Sequence, residues 1–292
     1  MAQPALRLDT NVPGDFFVDS TCIDCDACRI FAPAVFHDAG EQSSVYHQPE
    51  TEEELLAAQK ALISCPTASI GSTADSTRHD MRAAVAALPE VVDEEVYRCG
   101  YASESSFGAI SYLVRREAGN LLVDSPRFAA PLARNIDALG GVSRLLLTHQ
   151  DDVADHAKFA ERFGCERVLH KDDVRGGTAA VELQVTGSEP VTLDSDLVMI
   201  PTPGHTRGHA VFLYRDKYLF TGDHLAWSEA RGHLYAFRSA CWYSWTEQIR
   251  SMERLLEFRF EWVLPGHGRP IALTADAMRD SLQHCIAWMK TK

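Results

Sequence analysis

The sequence predicts an α+β protein in two parts, a small cysteine-rich N-terminal segment followed by a larger body of alternating strands and helices. Three observations support that class. Four of the eight cysteines, Cys22, Cys25, Cys28 and Cys65, lie in the first quarter of the chain. From about residue 97, short β-type runs punctuated by Gly and Pro alternate with helical stretches. A length of 292 residues with 46% hydrophobic content is comfortable for two domains and buries a full core. The expected division is 1–75 for the first domain, 76–96 for a linker and short helix, and 97–292 for the second domain.

The elements follow in order. Residues 22–36 carry three cysteines at intervals of three and then Ala-Pro. Thr51 and Glu54 form a capping box in front of a helix beginning at Glu52. The run 72–80 is small, polar and turn-prone, which suits a linker. Residues 81–92 read as an ambiguous short helix. Residues 107–126 read as two strands joined at 117–120, with Gly119 supplying the turn. Residues 144–149 form a buried strand ending in a polar loop. Residues 191–225 are several short strands, and 261–268 is a last strand running into a loop. Helices fit 131–140, 156–164, 244–258 and 272–290. In the third of these, Ser244 and Glu247 form a second capping box, and Ile249, Met252, Leu255 and Leu256 share one face.

Composition bounds the function. Lys and Arg total 28 against 41 Asp and Glu, a formal charge of −13, which disfavours nucleic acid or an anionic membrane as partner. No apolar run approaches the ~20 residues of a membrane span. The N-terminus lacks a charged-then-apolar signal pattern, and the cysteines are not arranged as a disulfide framework. A reducing compartment, the cytoplasm, is expected.

Cys22, Cys25 and Cys28 form C-x2-C-x2-C, and Cys65 is followed by Pro66. A [4Fe–4S] cluster needs four converging thiolates, of which a tight loop presents three and a distant residue the fourth. The position for a second-cluster cysteine is Ala32, so one cluster is the economical reading. Ile23, Ile30, Phe31, Phe36, Ile63 and Ile70 are candidates to wall it from water. Zinc or two disulfides are the alternatives, but zinc favours two ligands in each half of its site. Residues 14–72 resemble single-cluster ferredoxins, which implies a ferredoxin-like domain. Electron transfer is favoured over a purely structural cluster.

His149 ends a strand. Asp151, Asp155 and His156 follow on a loop, and His205, Asp223 and His267 each sit just after a strand. A rigid sheet can aim such loop side chains at one spot, and imidazole with carboxylate suits zinc, iron and manganese. Residues 97–290 resemble the metallo-β-lactamase-fold superfamily. That resemblance implies a four-layer αββα sandwich with one or two metals at one edge. Its H-x-H-x-D-H motif carries over as His149, Asp151, Asp155 and His156. Its later ligands carry over as His205, Asp223 (the bridging candidate) and His267.

Two departures stand out. Asp151 replaces the motif's second His, with Asp152 its rival, and the loop holds two additional residues before Asp155. A carboxylate at the second position shifts preference from zinc toward iron or manganese. The flavodiiron reductases of this superfamily also carry one there, and its persulfide dioxygenases use a single iron. His209 and His224 are assigned structural roles, and His37, His47, His79, His170, His233 and His284 none. The aromatic run Trp242, Tyr243 and Trp245 suits either a pocket wall or, slightly better, core packing.

The function expected from the fusion is a redox enzyme. An external electron donor reduces the cluster, and the cluster passes electrons to a mono- or dinuclear iron site acting on a small-molecule substrate. The flavodiiron resemblance also implies a homodimer. The alternative is a thioesterase, lactonase or phosphoesterase in which metals activate water, Asp155 orients it, and the cluster is structural or regulatory. A non-catalytic electron carrier or sensor is the third reading.

Overall fold

The structure, a computed structural model, describes residues 2–73 and 80–292. Residues 74–79 of the linker read at 72–80, with His79, lie outside the described residues. The chain packs as two compact units, Met1–Ser143 with Ala154–Gly164, and Arg144–Val153 with Cys165–Lys292.

In chain order the first unit holds β1 (Phe16–Val18), α1 (Ala27–Phe31), β2 (Phe36–Asp38), β3 (Ser43–Val45), α2 (Glu52–Ser64) and β4 (Ile70–Ser72). It continues with α3 (Arg82–Ala86), β5 (Glu90–Asp93), β6 (Val96–Arg98), β7 (Tyr112–Val114), β8 (Leu121–Val123), α4 (Ala130–Ala138) and α5 (His156–Phe163). β1 pairs antiparallel with β4, and β2 with β3. The buried Asn11 amide ties these two pairs together, its Oδ1 accepting from Val18 N and Val45 N at 2.9 and 3.0 Å. α2 starts on the expected capping box, with Thr51 and Glu54 satisfying each other's backbone N–H. β5 to β8 form an antiparallel meander.

This unit does not end at the linker, because the cysteine-rich segment packs on the meander. Lys60 pairs with Glu90, both largely buried. The Arg98 guanidinium reaches Glu90 at 3.0 Å and the Ile30 carbonyl at 3.1 Å while lying 4.8 Å above the Phe31 ring.

The second unit holds β9 (Arg144–Leu146), β10 (Glu166–His170), β11 (Leu183–Val185), β12 (Val191–Asp194), β13 (Leu197–Pro201), β14 (Ala210–Tyr214) and β15 (Tyr218–Gly222). Then come β16 (Ala226–Ser228), β17 (His233–Tyr235), α6 (Trp245–Leu255), β18 (Trp262–Pro265), β19 (Ile271–Ala272) and α7 (Ala275–Met289). β9, β10 and β11 run parallel. A six-stranded sheet is ordered β12-β13-β14-β15-β18-β19. Its inward residues Val211, Leu213, Leu219 and Val263 share a core with Met252 and Leu255 of α6 and with Leu282 and Ile286 of α7.

Strand direction places the site. β13 and β14 are antiparallel, as are β14 and β15, whereas β15 and β18 are parallel. The C-terminal ends of β13, β15 and β18 therefore share one sheet edge. The loops carrying His205, Asp223 and His267 all leave from that edge.

Ser244 completes half of its expected box. Its Oγ accepts from Glu247 N, while its own N–H is donated to Gly204 O at 3.0 Å. Of the three aromatics before and in α6, Trp245 packs, its Nε1 donating to Met289 O and its ring edge-on to Trp288. Trp242 and Tyr243 stay exposed.

Candidate functional site

The second unit gathers six ligand-type side chains. Backbone bonds from Leu147 to β10 and from Ala210 N to Thr148 O extend the β9 edge to His149, which is fully buried. Asp223 is the hub: its Oδ2 lies 4.0 Å from His149 Nε2 and 3.8 Å from both His205 Nε2 and His267 Nε2. Asp151 Oδ2 lies 3.9 Å from His149 Nε2 and 3.6 Å from His205 Nε2. Asp151 and Asp152, the rivals of the sequence reading, both approach. Donor atoms of His149, Asp151 and His205 lie within 4.8 Å of one another, as do those of His149, Asp152 and Asp223.

The donors suit a cation. His205 Nδ1 donates to Ala240 O at 2.5 Å, so Nε2 presents its lone pair to the cluster. The Nε2 atoms of His149 and His205 and Oδ1 of Asp223 are buried without a hydrogen-bond partner. Orphaned acceptors of this kind are costly in an apolar interior unless a cation meets them. Burial depresses the His149 pKa to about 4, the nearby carboxylates only partly offsetting it. For His205 burial also opposes charge, but Asp151 and Asp223 outweigh it and the net shift is upward. The His205 imidazole in turn holds Asp151 low. The donor set, imidazoles with two or three carboxylates and no thiolate, fits a divalent metal ion such as zinc, iron or manganese.

Asp155 and His156 belong to neither converging group. The chain passes into the first unit at Ala154, whose φ is +26°. Asp155 is the N-cap of α5; its Oδ2 accepts from Phe128 N and its Oδ1 pairs with Lys158, both at 2.8 Å. His209 and His224 are buried in the second unit, His209 Nδ1 lying 2.9 Å from Thr202 Oγ1.

One organising residue had no signal in the sequence. Buried Asp173 accepts from Gln150 N at 3.1 Å, Thr206 Oγ1 at 2.5 Å and Gly208 N at 2.7 Å, tying the His149 loop to the His205 loop.

In the first unit, Cys22, Cys25, Cys28 and Cys65 line one pocket with Ile23, Pro66 and Ile70. Positive φ at Asp24 and Asp26 wraps the loop, and Cys65 arrives as the C-cap of α2. All four thiols are free. Burial pushes Cys25 up to about 12 and raises Cys22 and Cys28 as well. Thiolates are disfavoured there unless positive charge compensates them, which is what cluster iron provides. Ser69 N donates to Cys65 Sγ at 3.2 Å. The four residues fit a [4Fe–4S] cluster.

Comparison with known proteins agrees with both parts. Residues 18–72 match the 4Fe-4S single cluster domain of ferredoxin I. A hydroxyacylglutathione hydrolase from Acidiphilium cryptum is 31% identical over 119 residues, 39% of this chain and 48% of the relative. One from Rhodospirillum rubrum is 26% identical over 179 residues, 59% of this chain and 69% of the relative. The chain therefore spans about half the length of the first of these relatives. The crystal structure of DIM-1 metallo-β-lactamase has a TM-score of 0.52 at 17% identity, covering 69% of this chain and 96% of that one. This is a metallo-β-lactamase-fold protein. It carries an N-terminal single-cluster [4Fe–4S] domain of the ferredoxin type.

Proposed function

We propose that the protein is a redox metalloenzyme with one iron at the site in the second unit, supplied with electrons through the cysteine-bound cluster. The carrying observation is the pair of overlapping donor groups, His149 with Asp151 and His205 and His149 with Asp152 and Asp223, which share one imidazole, while Asp155 is engaged by Phe128 N and Lys158. Two imidazoles and a carboxylate that leave positions open suit non-haem Fe(II). Asp152 and His267 stand beside Asp223 as further donors. When bound, iron there supplies a redox-active Lewis acid able to take a small molecule.

The chain's own groups set up that site. Ala240 O fixes the His205 tautomer, Asp173 holds the two ligand loops together, and the His205 imidazole keeps half-exposed Asp151 ionised as a donor to the metal. An external donor reduces the cluster at Cys22, Cys25, Cys28 and Cys65, and the substrate is oxygen, a nitrogen oxide or a sulfur compound. The test is anaerobic reconstitution followed by stopped-flow absorbance. The reduced cluster should reoxidise faster with one of these substrates when the second site holds iron. Equal rates with and without that iron defeat the proposal.

A hydrolase is the second reading, favoured by the similarity to hydroxyacylglutathione hydrolases. It predicts that zinc-loaded protein cleaves an acyl-glutathione thioester at a rate indifferent to loss of the cluster.

A further inference from the structure

A line of hydroxyl groups runs from a cluster cysteine to a buried carboxylate. β1 and β4 pair as far as Val18 and Ile70, and Asp19 N then donates to Ser69 O at 2.9 Å, so residues 19 and 69 lie beside each other. Both are buried. Asp19 Oδ1 accepts from Thr21 Oγ1 at 2.5 Å and from Thr21 N at 3.0 Å, and its Oδ2 accepts from Gln3 N at 2.8 Å. Thr21 Oγ1 lies 2.6 Å from Ser69 Oγ, and Ser69 Oγ lies 2.7 Å from Thr67 Oγ1. Thr67 Oγ1 ends the line, 3.8 Å from Cys65 Sγ.

Proton counting gives the line a direction. A carboxylate only accepts, and each hydroxyl has one proton to donate. Thr21 spends its proton on Asp19, so the bond between Thr21 and Ser69 takes the proton of Ser69. The bond between Ser69 and Thr67 then takes the proton of Thr67, and none remains for Cys65. A cluster-bound cysteine is a thiolate with no proton of its own. The Thr67 oxygen therefore turns lone pairs toward the Cys65 sulfur, which receives the Ser69 backbone N–H at 3.2 Å instead.

We propose that the line Asp19–Thr21–Ser69–Thr67 sets the reduction potential of the cluster by withholding the Thr67 proton from Cys65. Uptake of one electron from a low-potential reductant adds one negative charge to the cluster and its thiolates. No bond forms or breaks in that step, and no proton is taken up. A hydroxyl donating to Sγ favours the extra charge, and a hydroxyl oxygen facing Sγ opposes it. Asp19 is thus a positioning residue that acts through three hydroxyls and keeps the cluster a stronger reductant. The inference rests on the cluster at Cys22, Cys25, Cys28 and Cys65 and is independent of the chemistry at the second-unit site.

The test is an anaerobic redox titration of the reconstituted full chain against viologen dyes, with iron and sulfide measured on each sample. Ser69→Ala keeps the backbone N–H to Cys65 and frees the Thr67 hydroxyl to turn toward Sγ. It should shift the equilibrium toward the reduced cluster by about three- to tenfold, tenfold being about 59 mV for one electron. Thr67→Val should stay within about twofold of wild type, and the double variant Ser69→Ala/Thr67→Val should match Thr67→Val alone. Thr21→Val, at an exposed residue, lets Ser69 turn its proton to Thr67 and should give a rise that Thr67→Val likewise cancels. A Ser69→Ala or Thr21→Val protein with full sulfide and an unmoved potential overturns the proposal. So does a rise that persists after Thr67→Val is added, because solvent entry and not the hydroxyl is then the cause. A chain that holds no acid-labile sulfide overturns the cluster and this proposal together.

Discussion

Asp223 is the carboxylate that three imidazoles face, and Asp155, offered by the same family motif, is not. The distances make that contrast testable at single residues. Asp223 Oδ2 stands about 4 Å from three imidazole nitrogens, a spacing that a cation fills and a hydrogen bond does not. Asp223→Ala is expected to lower metal affinity at least about tenfold, read by metal analysis after dialysis. Asp155→Ala is expected to keep full metal content and to lower unfolding free energy by about 1 kcal/mol, since it leaves Phe128 N without its acceptor. The pH dependence has a definite sign. Burial pushes the Asp155 carboxyl up, but the hydrogen bonds from Lys158 and Phe128 prevail and its folded pKa is depressed. Its contribution is therefore complete above the unfolded value of about 4 and fades as pH falls through the lower folded one. The stability gap between wild type and Asp155→Ala in urea titrations should shrink across that acid window. Metal loss in Asp155→Ala equal to that in Asp223→Ala would contradict the placement of this side chain.

At the scale of elements, the clearest signals in the sequence were local ones. The Thr51–Glu54 box and the apolar face of α6 are short-range patterns, and both helices form where those patterns lie. The strand ends at His149, His205, Asp223 and His267 were legible because each ligand follows an apolar run directly. The engagement of Asp155 with Phe128 N and Lys158 was not legible. It depends on a turn with positive φ at Ala154, a residue type that gives no warning of it. Nor was Gly108. Its φ is +86°, and a Cβ there would stand 2.5 Å from Cys25 Cβ and 2.7 Å from Cys25 Sγ. The segment after β6 thus lies directly against a cluster cysteine, a contact between residues 83 positions apart that no local pattern encodes. Gly108→Ala should cost about 1–3 kcal/mol and lower iron and acid-labile sulfide together. Gly187→Ala is the control. Its φ is +93° but open space surrounds it, so it should carry the backbone strain and keep the cluster. Equal sulfide content in the two variants would show that the 108 contact does not matter to the cluster.

At the scale of the molecule, the two inorganic centres draw on separate residue sets in separate compact units. The four cysteines lie in the first unit, and His149, Asp151, Asp152, His205, Asp223 and His267 all lie in the second. No described residue supplies a donor to both groups. Loss of one centre should therefore leave the content of the other intact. His205→Ala is expected to keep four sulfides per chain and lose the additional metal, whereas Cys28→Ser is expected to lose sulfide and keep that metal. Cys28 is buried, and its variant risks unfolding the first unit. Slow oxidation of wild-type protein in air, which breaks down the cluster without a substitution, gives the same comparison on an intact chain. Stoichiometry also separates one metal from two. Asp155 is engaged with Phe128 N and Lys158, and the two donor groups of the second unit share the His149 imidazole. Oxygen-free protein should then hold one metal beyond the four irons of the cluster. Two additional metals would require more donors than two groups sharing His149 supply, and Asp155 could add one only by leaving Phe128 and Lys158. Metal and sulfide analysis on His205→Ala, Asp155→Ala and wild type decides between these outcomes, because only a dinuclear site makes metal content fall in both variants.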